Sequence, residues 1–281
     1  MRSHHAGKVA AVLAALAAFA WVGVAALREM EARRPPLTLT VLSGAADAQA
    51  AVQQMAQQPR VLIYHTHTWE AYEMTETDTY TPTETWRTKD DAHNMVRVGE
   101  ELAGELRERG FFVVHDTTAF EPPNLSDAYT RSLEMLEERL DAGEQYDYLF
   151  DVHRDAYSGL YNGSNCAQQG GLQMAYVMML VGKGTGATGS GFDERPDWPQ
   201  NLELAQQITD EMNRLVTGLS RDDKVKTGRF NQHVSTGALL IEVGNNKNTL
   251  EEALAACPVI AQAIANVHAQ RTQENEPEKS G

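Results

Sequence analysis

Apolar and polar residues alternate along the chain in blocks whose lengths separate strands from helices. Val61-Leu62-Ile63-Tyr64 is a short unbroken apolar run, the pattern of a strand covered on both faces. Phe111–Val114, Tyr148–Val152, Met174–Val181 and Ala238–Val243 are expected to be strands of the same kind. Between them apolar residues recur at helical steps. Val98, Leu102 and Leu106 predict a helix over 92–109 that stops at Gly110. Leu133, Leu136 and Leu140 predict another over 126–140, with Ser126 as N-cap. A third is expected over 202–219, and Asn248 is expected to open the last, with Glu251 as its capping-box partner. Strands alternating with helices predict an α/β domain built on a mainly parallel sheet flanked by helices on both faces.

Upstream the pattern changes. Val9–Leu27 is 19 residues without a charge, enough to cross a membrane as a helix. Arg2 and Lys8 precede it, and Arg28, Arg33 and Arg34 follow. Three readings compete: an uncleaved anchor, a signal peptide cleaved near Ala25-Ala26, and a buried core helix. Its length favours the anchor. That reading gives a cytoplasmic segment 1–8, a transmembrane helix 9–27 and the remainder outside the cytoplasm. Pro35-Pro36 and the Ala/Gln-rich stretch 45–58 make 28–59 a stalk, and the polar residues 270–281 read as a disordered tail. Residues 60–269 remain as one folded domain. In a chain of 281 residues with 42% hydrophobic content, a sizeable core is possible. The net charge of −15 is the wrong sign for tracking a phosphate backbone, so nucleic acid is a poor partner. Cys166 and Cys257 are too few for a disulfide framework; whether they pair is open.

Ligands of open α/β sheets gather beyond the carboxyl ends of the strands. Three strand ends carry candidate chemistry: His65-Thr66-His67-Thr68-Trp69-Glu70, His153-Arg154-Asp155, and Glu242. A catalytic zinc takes three ligands of the His/His/carboxylate kind and keeps one open position. His67, Glu70 and His153 supply such a set, with Glu242 left as general base. His93 is the rival to Glu70, and Asp155 a weaker one. His65, sharing a face with His67, is either an orienter of the site or unused. Arg154 stands beside the site. Trp69, Tyr72, Tyr157 and Tyr161 are candidate walls of a substrate groove, or packing aromatics. Gly182-Lys183-Gly184-Thr185-Gly186 lacks the spacing of a phosphate loop and reads as a flexible loop.

These motifs, together with Asn94-Met95-Val96-Arg97-Val98-Gly99 and Ile241-Glu242-Val243-Gly244-Asn245-Asn246-Lys247-Asn248-Thr249, resemble the sporulation stage II protein P family across residues 60–269. The resemblance implies an amidase-like fold and a zinc-dependent peptidoglycan hydrolase. Such a protein cuts between N-acetylmuramic acid and L-alanine, and in some members within cross-linked stem peptides. It also implies action at the engulfing membrane of the mother cell with stage II proteins D and M, and maps the family's histidines onto His67 and His153 and its late glutamate onto Glu242. Asn245-Asn246-Lys247 departs from a stretch where the family has more glycine. A carboxypeptidase-type zinc peptidase and a non-catalytic cell-wall-binding module stay open as alternatives.

Overall fold

A computed structural model describes residues 57–156, 159, 164–185 and 195–274. The expected anchor, nearly all of the stalk, the end of the tail, and Tyr157 and Tyr161 lie outside the described residues.

The elements run β1 (Arg60–Tyr64), α1 (Met95–Glu108), β2 (Phe112–His115), α2 (Ala128–Asp141), β3 (Tyr148–Asp155), β4 (Cys166–Gln169), β5 (Leu172–Ala175), β6 (Val177–Gly182), α3 (Trp198–Leu215), β7 (Lys224–Lys226), β8 (Ala238–Asn245) and α4 (Leu250–Glu274). Six strands form one sheet in the order β2-β1-β3-β8-β6-β7, and β4 pairs with β5 in a separate hairpin. Four of the five ladders in the large sheet are parallel. The exception is β6, which runs antiparallel to β8. Both faces are covered, as the continuous apolar strands require. Val61 and Ile63 join the core formed with α1, α3 and α4. Leu62 and Tyr64 pack on the other side with Phe120, Ala128 and Leu136. The sheet thus carries three helices on one face and one, α2, on the other.

Several boundaries differ from expectation, each for a local reason. α1 starts at Met95, because Asn94 takes the cap and accepts the N–H of Val96 at 2.9 Å. Ser126 lies in a single 3₁₀ turn, Leu125–Asp127, and α2 begins after it. α3 covers Trp198–Leu215 rather than 202–219, since Val216 is extended and Gly218 has φ +74°. The strand expected over 174–181 is two strands: Ala175 pairs with Cys166 in the hairpin, and β6 begins two residues later. Asn248 does not cap the last helix, because its Oδ1 accepts the N–H of Asn245 instead. Thr249 and Glu252 form the capping box in its place, each side chain accepting the other's backbone N–H. Cys166 and Cys257 are both buried and free, so the two do not pair.

Among the described residues one helix, α4, is long and apolar enough to cross a membrane. Ala253, Ala256, Ile260, Ile264 and Val267 are buried in the core, and the helix packs on α1 and α3. Its hydropathy is explained by burial.

Candidate active site

The carboxyl ends of β1, β3 and β8 are neighbours in the sheet, and the expected chemistry sits on all three. On β3, Asp151 and His153 project from one face, two residues apart. Across the ladder His153 is the register partner of Glu242, so a histidine and a glutamate stand side by side. The turn after β1 then brings in His67 and Glu70. It is closed by the Glu70 N–H on the carbonyl of His67 and by the Thr68 hydroxyl on the carbonyl of His65. The Thr66 N–H bonds Asp151 Oδ1 at 2.8 Å and fixes the turn to β3.

His67 and His153 meet edge to face with ring centroids 5.2 Å apart. Glu70 Oε2 lies 3.5 Å from His153 Nδ1 and also accepts the backbone N–H of Arg154 at 3.3 Å. Asp151 Oδ1 lies 2.7 Å from His153 Nε2, close but off the line of a well-aligned hydrogen bond. Burial opposes charge on His153, yet Asp151 and Glu70 outweigh it and raise its pKa well above the ordinary value. Burial likewise works against Glu70, but His153 and Arg154 prevail and hold its pKa at about 2. His67 is lowered to about 4 by burial and by the charge on His153. Glu242 is pushed up to about 8, chiefly by burial, and its Oε2 has no hydrogen-bond partner.

Other expected residues are engaged elsewhere. His93 has both nitrogens taken, Nδ1 by Asp90 at 2.9 Å and Nε2 by Asp78 at 3.0 Å. His65 is buried, with Nδ1 donating to the carbonyl of Val152 and Nε2 facing Nε2 of His115. Asp155 pairs with Lys224 of β7 at 3.3 Å. Arg154 is a buried clamp, its guanidinium bonding the carbonyls of Ala71 and Trp86. Trp69 lies under the ammonium of Lys89. Tyr72 lines no groove: it is 1% exposed, and its hydroxyl bonds the carbonyl of Val243. Lys247, in the departing Asn-Asn-Lys stretch, reaches Glu73 at 2.9 Å and covers Trp86.

Three residues at the site went unassigned in the sequence. Asp151 was legible as the first member of Asp-x-His on a strand. Tyr129, from the first turn of α2, sets its ring edge-on to His67 and stacked over His153. Glu121 is buried, ion-paired with Arg87, and places Oε1 3.9 Å from Nδ1 of His67. Packing of α2 across the strand ends brings in Tyr129, and the loop after β2, tied to Arg131 of α2 through the carbonyls of Phe120 and Glu121, brings in Glu121; no local motif marks either.

Among the described residues no three His, Cys, Asp or Glu side chains are already drawn in around one point as a metal cage. The donor set nevertheless fits zinc. Two ligands of a tetrahedral zinc stand about 3.3 Å apart, close to the 3.5 Å between His153 Nδ1 and Glu70 Oε2. His67 beside them has a buried Nδ1 without a hydrogen-bond partner.

The sequence matches the family model of stage II sporulation protein P over residues 28–265. It is 24% identical over 224 residues to the stage II sporulation protein P of Bacillus subtilis (strain 168), covering 74% of this chain and 51% of that protein. The chain therefore spans about half the length of the curated relative it matches. Among solved structures, it is similar to the N-acetylmuramoyl-L-alanine amidase AmiC2 of Nostoc punctiforme, with a TM-score of 0.43 and 14% identity over 76% of this chain and 97% of that one. It is also similar to the catalytic domain of the CD27L endolysin targeting Clostridia difficile, with a TM-score of 0.45 and 15% identity over 76% and 98%.

Proposed function

The chain belongs to the stage II sporulation protein P family, and from that premise we propose that it is a zinc-dependent peptidoglycan hydrolase of sporulation that cleaves the amide between N-acetylmuramic acid and L-alanine. Residues 9–27 would anchor it in the membrane, 28–59 serve as stalk and 60–269 carry the reaction, with stage II proteins D and M as partners. Cross-linked stem peptides are a second substrate class in this reading. The observation that carries it is the His153–Glu242 register pair: a buried glutamate with an unpartnered oxygen beside the imidazole that approaches Glu70.

His67, Glu70 and His153 would hold the metal. When bound there, zinc supplies Lewis acidity toward an amide carbonyl and toward water. The remaining chemistry belongs to the protein. Glu242 takes the proton of the attacking water and returns it to the departing amine nitrogen as the C–N bond breaks. A base whose pKa lies near the working pH suits both transfers, and burial raises Glu242 toward that range. Glu70 stays ionised, as a ligand must. The phenol of Tyr129, its pKa driven up by burial, stays neutral, edge-on to His67 and stacked over His153.

Mass spectrometry of the products released from purified peptidoglycan by the full chain, with zinc and with chelator, tests this. Stem peptides with a free L-alanine amino terminus, released only with zinc, are expected. Release of D-alanine alone, or of nothing, overturns the reading.

A further inference from the structure

Asp151 is 1% exposed, and a buried carboxylate is costly unless several donors surround it. It has three. Oδ1 accepts the Thr66 N–H at 2.8 Å, Oδ2 accepts the Thr66 hydroxyl at 2.7 Å, and Oδ1 lies 2.7 Å from His153 Nε2. The Thr66 hydroxyl spends its proton on Asp151, so it must accept one from Ser132, whose oxygen lies 2.8 Å away. Ser132 in turn accepts from the side-chain amide of Asn231. This directed chain of donors, from Asn231 to Ser132 to Thr66, locks the carboxylate in orientation. Both oxygens are committed on the side of His153 away from Glu70, so Asp151 is held back from acting as a ligand.

We infer that Asp151 is a positioning residue: it keeps a proton on Nε2 of His153, so that Nδ1, 3.5 Å from Glu70 Oε2, is the nitrogen presented to the metal. The inference rests on the zinc reading of the site. A neutral imidazole carries its proton on one nitrogen and ligates through the other, and which is which is set by the hydrogen bond at the far side. An acceptor fixed at Nε2 leaves one productive tautomer. An amide in its place can donate as well as accept, and so stabilises the tautomer with Nδ1 protonated, which cannot ligate.

Zinc affinity of the full chain, measured by competition with a chromophoric chelator, should fall about 10- to 100-fold in Asp151→Asn, the usual cost of losing such a partner. A purely structural role would lower the melting temperature of the metal-free protein and leave this affinity in place. Zinc binding by a folded Asp151→Asn at the parent affinity overturns the inference. Long-range ¹H–¹⁵N correlation of the zinc-loaded parent decides the matter independently of how the variant folds. His153 should carry its proton on Nε2, and a proton on Nδ1 overturns the inference. A parent that takes up no zinc overturns the metal reading itself, and the inference with it.

Discussion

At the scale of single residues, the proposed reading separates groups that would hold the metal from a group that would react. Glu70 and His153 compensate one another's charge, whereas Glu242 has no bonded partner for Oε2. Glu242→Gln keeps shape but cannot carry a proton. The variant should fold and retain zinc while turnover on peptidoglycan drops by about 10²-fold or more. Parent-like hydrolysis rejects the assignment of the base, and lost zinc makes the carboxylate a ligand. The proposed ligands predict the opposite pattern. His67→Ala or His153→Ala should lose most of the bound zinc in metal analysis, because a carboxylate and one imidazole make a poor site. Stoichiometric zinc in either variant removes that residue from the set. His93, held between Asp78 and Asp90, should change nothing when replaced by Ala, whereas Glu70→Gln should lower occupancy. The reverse result would exchange their roles.

At the scale of elements, α1 shows how a helix is fitted to the strand beneath it. A Cβ at Gly99 would overlap Nε2 of both His65 and His115, two rings that face each other across 2.9 Å. Ala in place of Gly in a helix interior gains about 1 kcal/mol, but overpacking a rigid contact costs about 1–3 kcal/mol. Gly99→Ala should therefore lower stability in urea denaturation, and a stabilised variant would show that the histidine pair yields. The strands were legible in the sequence because burial on both faces leaves uninterrupted apolar runs. Helix starts were less so, since Asn94 and Asn248 have the same capping chemistry and only tertiary partners decide that Asn248 serves the turn after β8. The β4–β5 hairpin turns at Gly170-Gly171, both with positive φ, a readable signal obscured because β4 is half polar and the apolar end of β5 runs on into β6. His67, Glu70, His153 and Glu242 could be picked out because each follows an uninterrupted apolar run toward the carboxyl end of a strand. Tyr129 and Glu121 could not, because the packing of α2 and the loop leading into it deliver them.

At the scale of the molecule, protonation sets a limit on stability. His115, His233 and His268 all have pKa values lowered by burial, and His65 and His67 shift the same way. A histidine depressed in the folded state takes up its proton on unfolding. Its contribution is complete above the unfolded pKa of about 6.5 and is lost as pH falls toward the folded value. His153, raised well above 6.5, works in the other direction and favours the fold below that pH. Glu242, raised to about 8 by burial, also gains a proton in the fold as pH falls and works with His153, but five groups against two leave a net loss. With chelator present, the denaturation midpoint should fall between pH 7.5 and pH 5, and a rise over that interval would contradict the balance.

The strand order carries a consequence in time. β8 comes last of the described strands along the chain yet lies inside the sheet, between β3 and β6. Until Ala238–Asn245 inserts, β6 and β7 have no ladder to the parallel half, and the partner position beside His153 is empty of Glu242. Non-local pairings of this kind form late, after the loop entropy between them is overcome. On the proposed reading, a chain in which Ala238–Asn245 has not yet inserted lacks Glu242 beside His153 and would be inactive. If the site is that of a hydrolase, completion of the fold would itself be its safety catch.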